Sequence, residues 1–188
     1  MERPDLQTRA LGRARRAYET SHVIAALKAI GVASLVALGG AALHHTTSTS
    51  WLFAIALAGT LGALAYRGGA WRRGAFAGVV AGLPPLIVPS LVIALSSTNH
   101  CSSCTGDPTW FCALACFGSS SIVGALVGHR AILDRTPSKF ATAAVVTATL
   151  TGLLGCGTIG LGGAVGVVVG LVAGAITGWV AAGRTAQV

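Results

Sequence analysis

Five cysteines and three of the five histidines are the residues of this 188-residue chain whose chemistry reaches beyond packing. Cys101 and Cys104 form a C-x-x-C in a polar stretch, with His100 directly before it. Cys112 and Cys116 follow one helical turn apart, Cys156 stands alone further on, and His44 and His45 head an earlier Thr/Ser-rich stretch. Three chemistries suit such a set. As a soft-metal site, Cys101, Cys104 and His100 supply three ligands, with Cys112 or one of the first-loop histidines as the fourth. As a thiol switch, oxidation joins two of the cysteines and moves the helices that carry them. As an exchange enzyme, the C-x-x-C passes its disulfide to a partner and a quinone takes the electrons. The absence of a second cysteine pair in another polar stretch weighs against the enzyme, and no residue is assigned a catalytic role. Cys112, Cys116 and Cys156 also continue rows of small residues, so plain packing or stapling is a rival account of them. Five is odd, so at least one thiol lacks a partner within the chain.

The elements that must position these residues are apolar helices. Only 10% of the chain is charged and 53% is hydrophobic, a balance that leaves too little polar surface for a soluble domain. Twenty-six glycines lie largely within the apolar runs, as membrane-spanning helices tolerate. The net charge of +8 does not point to nucleic acid, because the basic residues sit at the ends of apolar runs rather than on one face, and no direct nucleic-acid binding is expected.

Three long runs carry no basic residue between their ends: Lys28 to Arg67, Arg73 to Arg130, and Lys139 to Arg184. With both ends of each run held on the cytoplasmic side, each crosses an even number of times, and length makes that number two. The expected fold is therefore all-α: a polytopic membrane protein of six helices in three hairpins. The spans are placed at about 22–43, 51–66, 74–96, 110–128, 140–155 and 160–182, the second and fifth being short. Residues 1–21 form a basic cytoplasmic segment, 22–183 the transmembrane domain, and 184–188 a cytoplasmic tail. Eleven arginines against two lysines point to a GC-rich bacterial source, and with the spans the expected location is the bacterial inner membrane. On this map all five cysteines, with His44, His45 and His100, fall on the outer side. Trp51 and Trp110 mark the outer interface, Trp71 and Trp179 the inner one.

Lipid offers no hydrophobic drive for helix association, so close backbone approach along small residues must supply it. Gly162, Gly166, Gly170, Gly174 and Gly178 repeat every fourth residue on the sixth helix, and Gly74, Gly78 and Gly82 do so on the third. Packing within the chain is the expected use of these rows, and a homo-oligomeric face is the alternative. Pro84, Pro85 and Pro89 interrupt the third helix, either as a kink held by neighbours or as a discontinuous transport segment. No Asp or Glu lies inside a span, which argues against cation-coupled transport.

The layout resembles that of the six-helix transmembrane anti-sigma proteins called negative regulators of sigma F. Trp110 to Cys112 at the start of helix four, Cys156 after helix five, and the basic loop Arg130–Lys139 with Pro137 carry the resemblance. Relative to that pattern the chain adds Cys101, Cys104 and Cys116. The resemblance implies capture of a sigma factor on the cytoplasmic face and its release under oxidative or heavy-metal stress. The N-terminal segment offers a surface for such a partner. Leu6, Ala10, Leu11, Ala14 and Tyr18 recur at helical spacing, with Arg9, Arg13 and Arg16 on another side. Anionic lipid is the competing partner for that helix. A regulator sensing soft metal or oxidant is thus the leading expectation. A thiol oxidoreductase, a soft-metal transporter and a protein with purely structural cysteines are its rivals.

Overall fold

The computed structural model describes residues 3–43, 48–97, 109–156 and 161–185. These residues form six α-helices and, among them, no strand: α1 (Arg3–Leu43), α2 (Ser48–Arg67), α3 (Gly69–Ser97), α4 (Thr109–Ile132), α5 (Pro137–Cys156) and α6 (Leu161–Thr185). Three stretches are long and apolar enough to cross a membrane: Arg15–Gly39 of α1, Pro137–Cys156 of α5 and Gly162–Gly183 of α6. The same measure does not extend to all six helices. The apolar part of α2, Trp51–Arg67, is a shorter helix, below the roughly 20 residues that span hydrocarbon. α3 spends its first turns on Arg72 and Arg73, and α4 carries Ser119, Ser120 and Ser121 in mid-helix and His129 with Arg130 in its last turn.

The basic N-terminal segment is not a separate helix. α1 runs unbroken for 41 residues, because after Pro4 nothing in it forces a break, and charge alone does not end a helix. At about 1.5 Å per residue it is roughly 60 Å long, about twice the thickness of a bilayer's hydrocarbon. Its packed part begins near His22, whose ring stacks on Tyr18 and meets Tyr66 of α2 edge-on. From Leu11 to Ser21 every described side chain is exposed. Beyond His22, Ala29 and Ala33 pack against Leu57, Leu61 and Leu64 of α2.

The α2–α3 connection is a tight turn. Gly68 and Gly69 both adopt positive φ, 70° and 57°, which a side chain would resist, and the Gly68 amide donates to the Ala65 carbonyl.

The most extensive helix pairs are not the two members of a hairpin. α4 packs on α6 and α3 on α5, and each pair runs parallel. On α6, Gly166, Gly170, Gly174 and Gly178 lie against the backbones of Ala113, Phe117, Ser121 and Ala125 of α4 in constant register, whereas Gly162 has nothing within 4 Å. On α4, Gly124 and Gly128 face the Leu171 and Ala175 carbonyls in return. On α3, Gly74, Gly78 and Gly82 lie against Phe140, Ala144 and Ala148 of α5. Backbone seats on backbone in both pairs, and, Gly162 apart, the glycine rows are consumed inside the chain.

Thr147 adds a polar link to the α3–α5 seam. Its buried hydroxyl lies 3.0 Å from the Ala75 carbonyl of α3 and 2.8 Å from the Ala143 carbonyl of its own helix, so one donor is shared between two acceptors.

At one end of the bundle the α4–α5 loop is tied to α3. Asp134 accepts from the Thr136 amide at 3.1 Å and from Arg73 Nε and Nη2 at 3.0 and 2.9 Å. Its side chain keeps 10% exposure. The Thr136 amide, above all, holds the Asp134 carboxyl below the usual aspartate range, with the Arg73 hydrogen bond and charge adding to it and burial opposing. A depressed carboxylate stabilises the fold above its unfolded pKa, and the contribution is lost as pH falls through the lower folded value. Asp134→Asn is therefore expected to erase one acid-induced step, read as faster amide exchange in the 133–136 loop on acidification of wild type but not of the variant.

Candidate functional site: a buried cystine where four helices meet

Cys116 and Cys156 form a disulfide across 40 positions of sequence, joining α4 to the last residue of α5. Both are fully buried. Helical phase puts them there. Cys116 lies one turn before Ser120 and two before Gly124, on the inward face of α4, and Cys156 one turn after Gly152 on the inward face of α5. Around them are packed Val123, Ala148, Val167 and Leu171.

The other two helices close on the same point. The Cys156 sulfur lies 3.3 Å from the carbonyl oxygen of Pro85 on α3. A Cβ on Gly155 would come within 2.9 Å of Leu86 on α3, and one on Gly163 of α6 within 2.7 Å of the Cys156 carbonyl. Gly152 gives room for Val167 of α6 and Pro85 together. Small residues at 152, 155 and 163 thus let three helices converge on one sulfur. On α4, Ser120 is also fully buried, and its hydroxyl oxygen has no partner among the described residues.

The chemistry available here is that of a bridged cysteine pair, not of a free thiol centre. Neither sulfur offers a thiolate for metal binding or attack while the bond stands. The lack of exposure bars direct exchange with another protein's thiols. Among the described residues no three His, Cys, Asp or Glu side chains come together to hold a metal ion.

Of the residues that sequence reasoning put forward, the structure unites Cys116 and Cys156. His44, His45, His100, Cys101 and Cys104 lie outside the described residues. Cys112 occupies the first turn of α4, four residues before Cys116, and its side chain is outside the description. Arg9, Arg13 and Arg16 all lie on the N-terminal part of α1, where Arg13 and Arg16 are exposed and the neighbouring Arg15 pairs with Glu19 at 3.0 Å.

Two features were missed. Pro84, Pro85 and Pro89 do not interrupt α3, which runs through them as one helix; Pro85 matters instead because its fourth successor is also a proline, so its carbonyl lacks the usual intrahelical donor. Thr147 and Thr151 stand four apart beside the small-residue row of an otherwise apolar helix, the spacing of a polar seam. No protein-family model, characterised protein or solved structure matches the chain.

Proposed function

We propose that the chain is a six-span integral membrane regulator with both termini in the bacterial cytoplasm, whose thiol-rich outer end reports oxidant or soft metal to a cytoplasmic partner. The observation that carries this reading is the Cys116–Cys156 bridge, which lies at the end of the bundle toward which the sequence gathers its remaining cysteines. α5 begins beside the Arg73–Asp134 pair and ends at the bridge, so one rigid element connects the thiol end to the opposite end. Large apolar side chains exposed along the helices, among them Leu35, Leu52, Ile55, Ile122, Leu126, Val165 and Ile176, supply a lipid-facing surface. On the partner side, the exposed α1 arm offers Leu11, Tyr18, Arg13 and Arg16 to a protein such as a sigma factor or to anionic lipid. A soft-metal ion would be taken by Cys101, Cys104 and His100, with Cys112 or one of His44 and His45 completing the set.

Burial of both bridged sulfurs disfavours the rival exchange enzyme at this pair. The test is isolation of the full-length chain from membranes with whatever it holds, before and after exposure of cells to a thiol oxidant or to mercuric ion. A transcription factor retained before treatment and released after it is the expected result, with release lost in Cys116→Ser/Cys156→Ser. Recovery of no cytoplasmic regulator, or equal retention under all conditions, would reject the proposal.

A further inference from the structure

We infer that Cys156 is the alternative hydrogen-bond donor to a main-chain carbonyl that Pro89 has orphaned, so that the redox state of the Cys116–Cys156 pair is coupled to the missing backbone bond in α3. The inference rests on the thiol reading above and adds its mechanical output.

Pro89 has no N–H, so the carbonyl four residues upstream, that of Pro85, lacks the i→i−4 bond a helix would give it. Pro85 is fully buried, and in a bilayer no water would replace the missing donor. A buried carbonyl left without a partner is costly. The atom the fold places beside it is Cys156 Sγ, at 3.3 Å. In the disulfide that sulfur carries no proton, and the carbonyl faces an acceptor-poor atom that cannot donate. Reduction by a small dithiol breaks the S–S bond. Two electrons and two protons convert Cys116 and Cys156 to thiols, and the dithiol is left as its own cyclic disulfide. Cys156 then gains an S–H that can point at Pro85 O. The reduced state therefore satisfies the carbonyl, and the oxidised state gives that bond up in exchange for tying α5 to α4.

Gly155 against Leu86 and Gly163 against the Cys156 carbonyl leave the sulfur little freedom to move elsewhere. α3 is thus the element that responds, between Pro85 and Pro89, where its backbone ladder lacks a bond. Pro89→Ala, by contrast, supplies an N–H to Pro85 O in both redox states, which removes the advantage of the thiol.

Two measurements on the full chain in lipid nanodiscs test this. The first is a dithiol titration of the Cys116–Cys156 pair. Pro89→Ala is expected to favour the disulfide by roughly threefold to tenfold in the equilibrium constant, the worth of one net hydrogen bond; at about 30 mV per tenfold for a two-electron couple, that is a midpoint lower by roughly 15–30 mV. The second uses the wild-type sequence with carbonyl-¹³C proline. On reduction one proline amide band is expected to move to lower frequency, and to stay put in Cys156→Ala. An unchanged midpoint in Pro89→Ala together with a static proline band would overturn the coupling while leaving a thiol sensor intact. A pair that never opens, even with excess dithiol in the folded protein, would overturn both.

Discussion

Gly78→Val is expected to force α3 off α5 and to destabilise the folded bundle by at least about 3 kcal/mol, at the upper end of overpacking costs. A Cβ at Gly78 would run into the Thr147 hydroxyl and the Ala144 carbonyl, with the Ala144 Cα only 2.8 Å away. Two of these three atoms are backbone, so no rotamer change can relieve the clash. Separation of the helices would also break the Thr147 link to Ala75. Gly59 serves as the control, because a Cβ there meets nothing within 4 Å. Gly59→Ala should change stability by no more than about 1 kcal/mol, the scale of helix propensity. Reversible unfolding in mixed micelles reads both variants. If Gly78→Val matched wild type, the seam would not be seated backbone on backbone.

Removal of the cystine should have an effect of similar size. In the chain-entropy account a bridge closing a loop of 40 residues stabilises by about 4 kcal/mol. Cys116→Ser, Cys156→Ser and the double variant should each lose that amount, and no more when combined, since one bond is being removed. A second readout is independent of stability. Of the five cysteines, two are bridged, so alkylation after unfolding without reductant should mark at most three, and after reduction all five. Mass spectrometry locating label on Cys116 or Cys156 before reduction would refute the bridge.

Helix content and phase were plain in the sequence, and helix partnership was not. The apolar runs predict six helices, and six are found among the described residues, because glycine inside an apolar run does not end a helix when a neighbouring backbone fills its space. The length-and-composition test reaches only α1, α5 and α6, since arginines and serines dilute α3 and α4 and α2 is short. Which glycine row meets which helix was not legible. A four-residue repeat of small residues defines a groove but carries no address, and the address here came from the backbone of Ala113 to Ala125 and of Phe140 to Ala148. The cystine was hidden for a related reason. Five thiols taken two at a time give ten pairs, and only the juxtaposition of α4 and α5 picks out Cys116 with Cys156. The boundary placed at residue 21 follows a change of charge, and α1 runs through it as one helix because backbone hydrogen bonding and sterics do not change there.

The parallel pairing of α3 with α5 and of α4 with α6 bears on how the protein is made. A chain synthesised from its N-terminus delivers α3 and α4 before either has its partner. Their glycine faces then wait for as long as the ribosome needs to produce the next two helices. The α3–α5 and α4–α6 seams therefore cannot close hairpin by hairpin, and each waits for a helix made two places later.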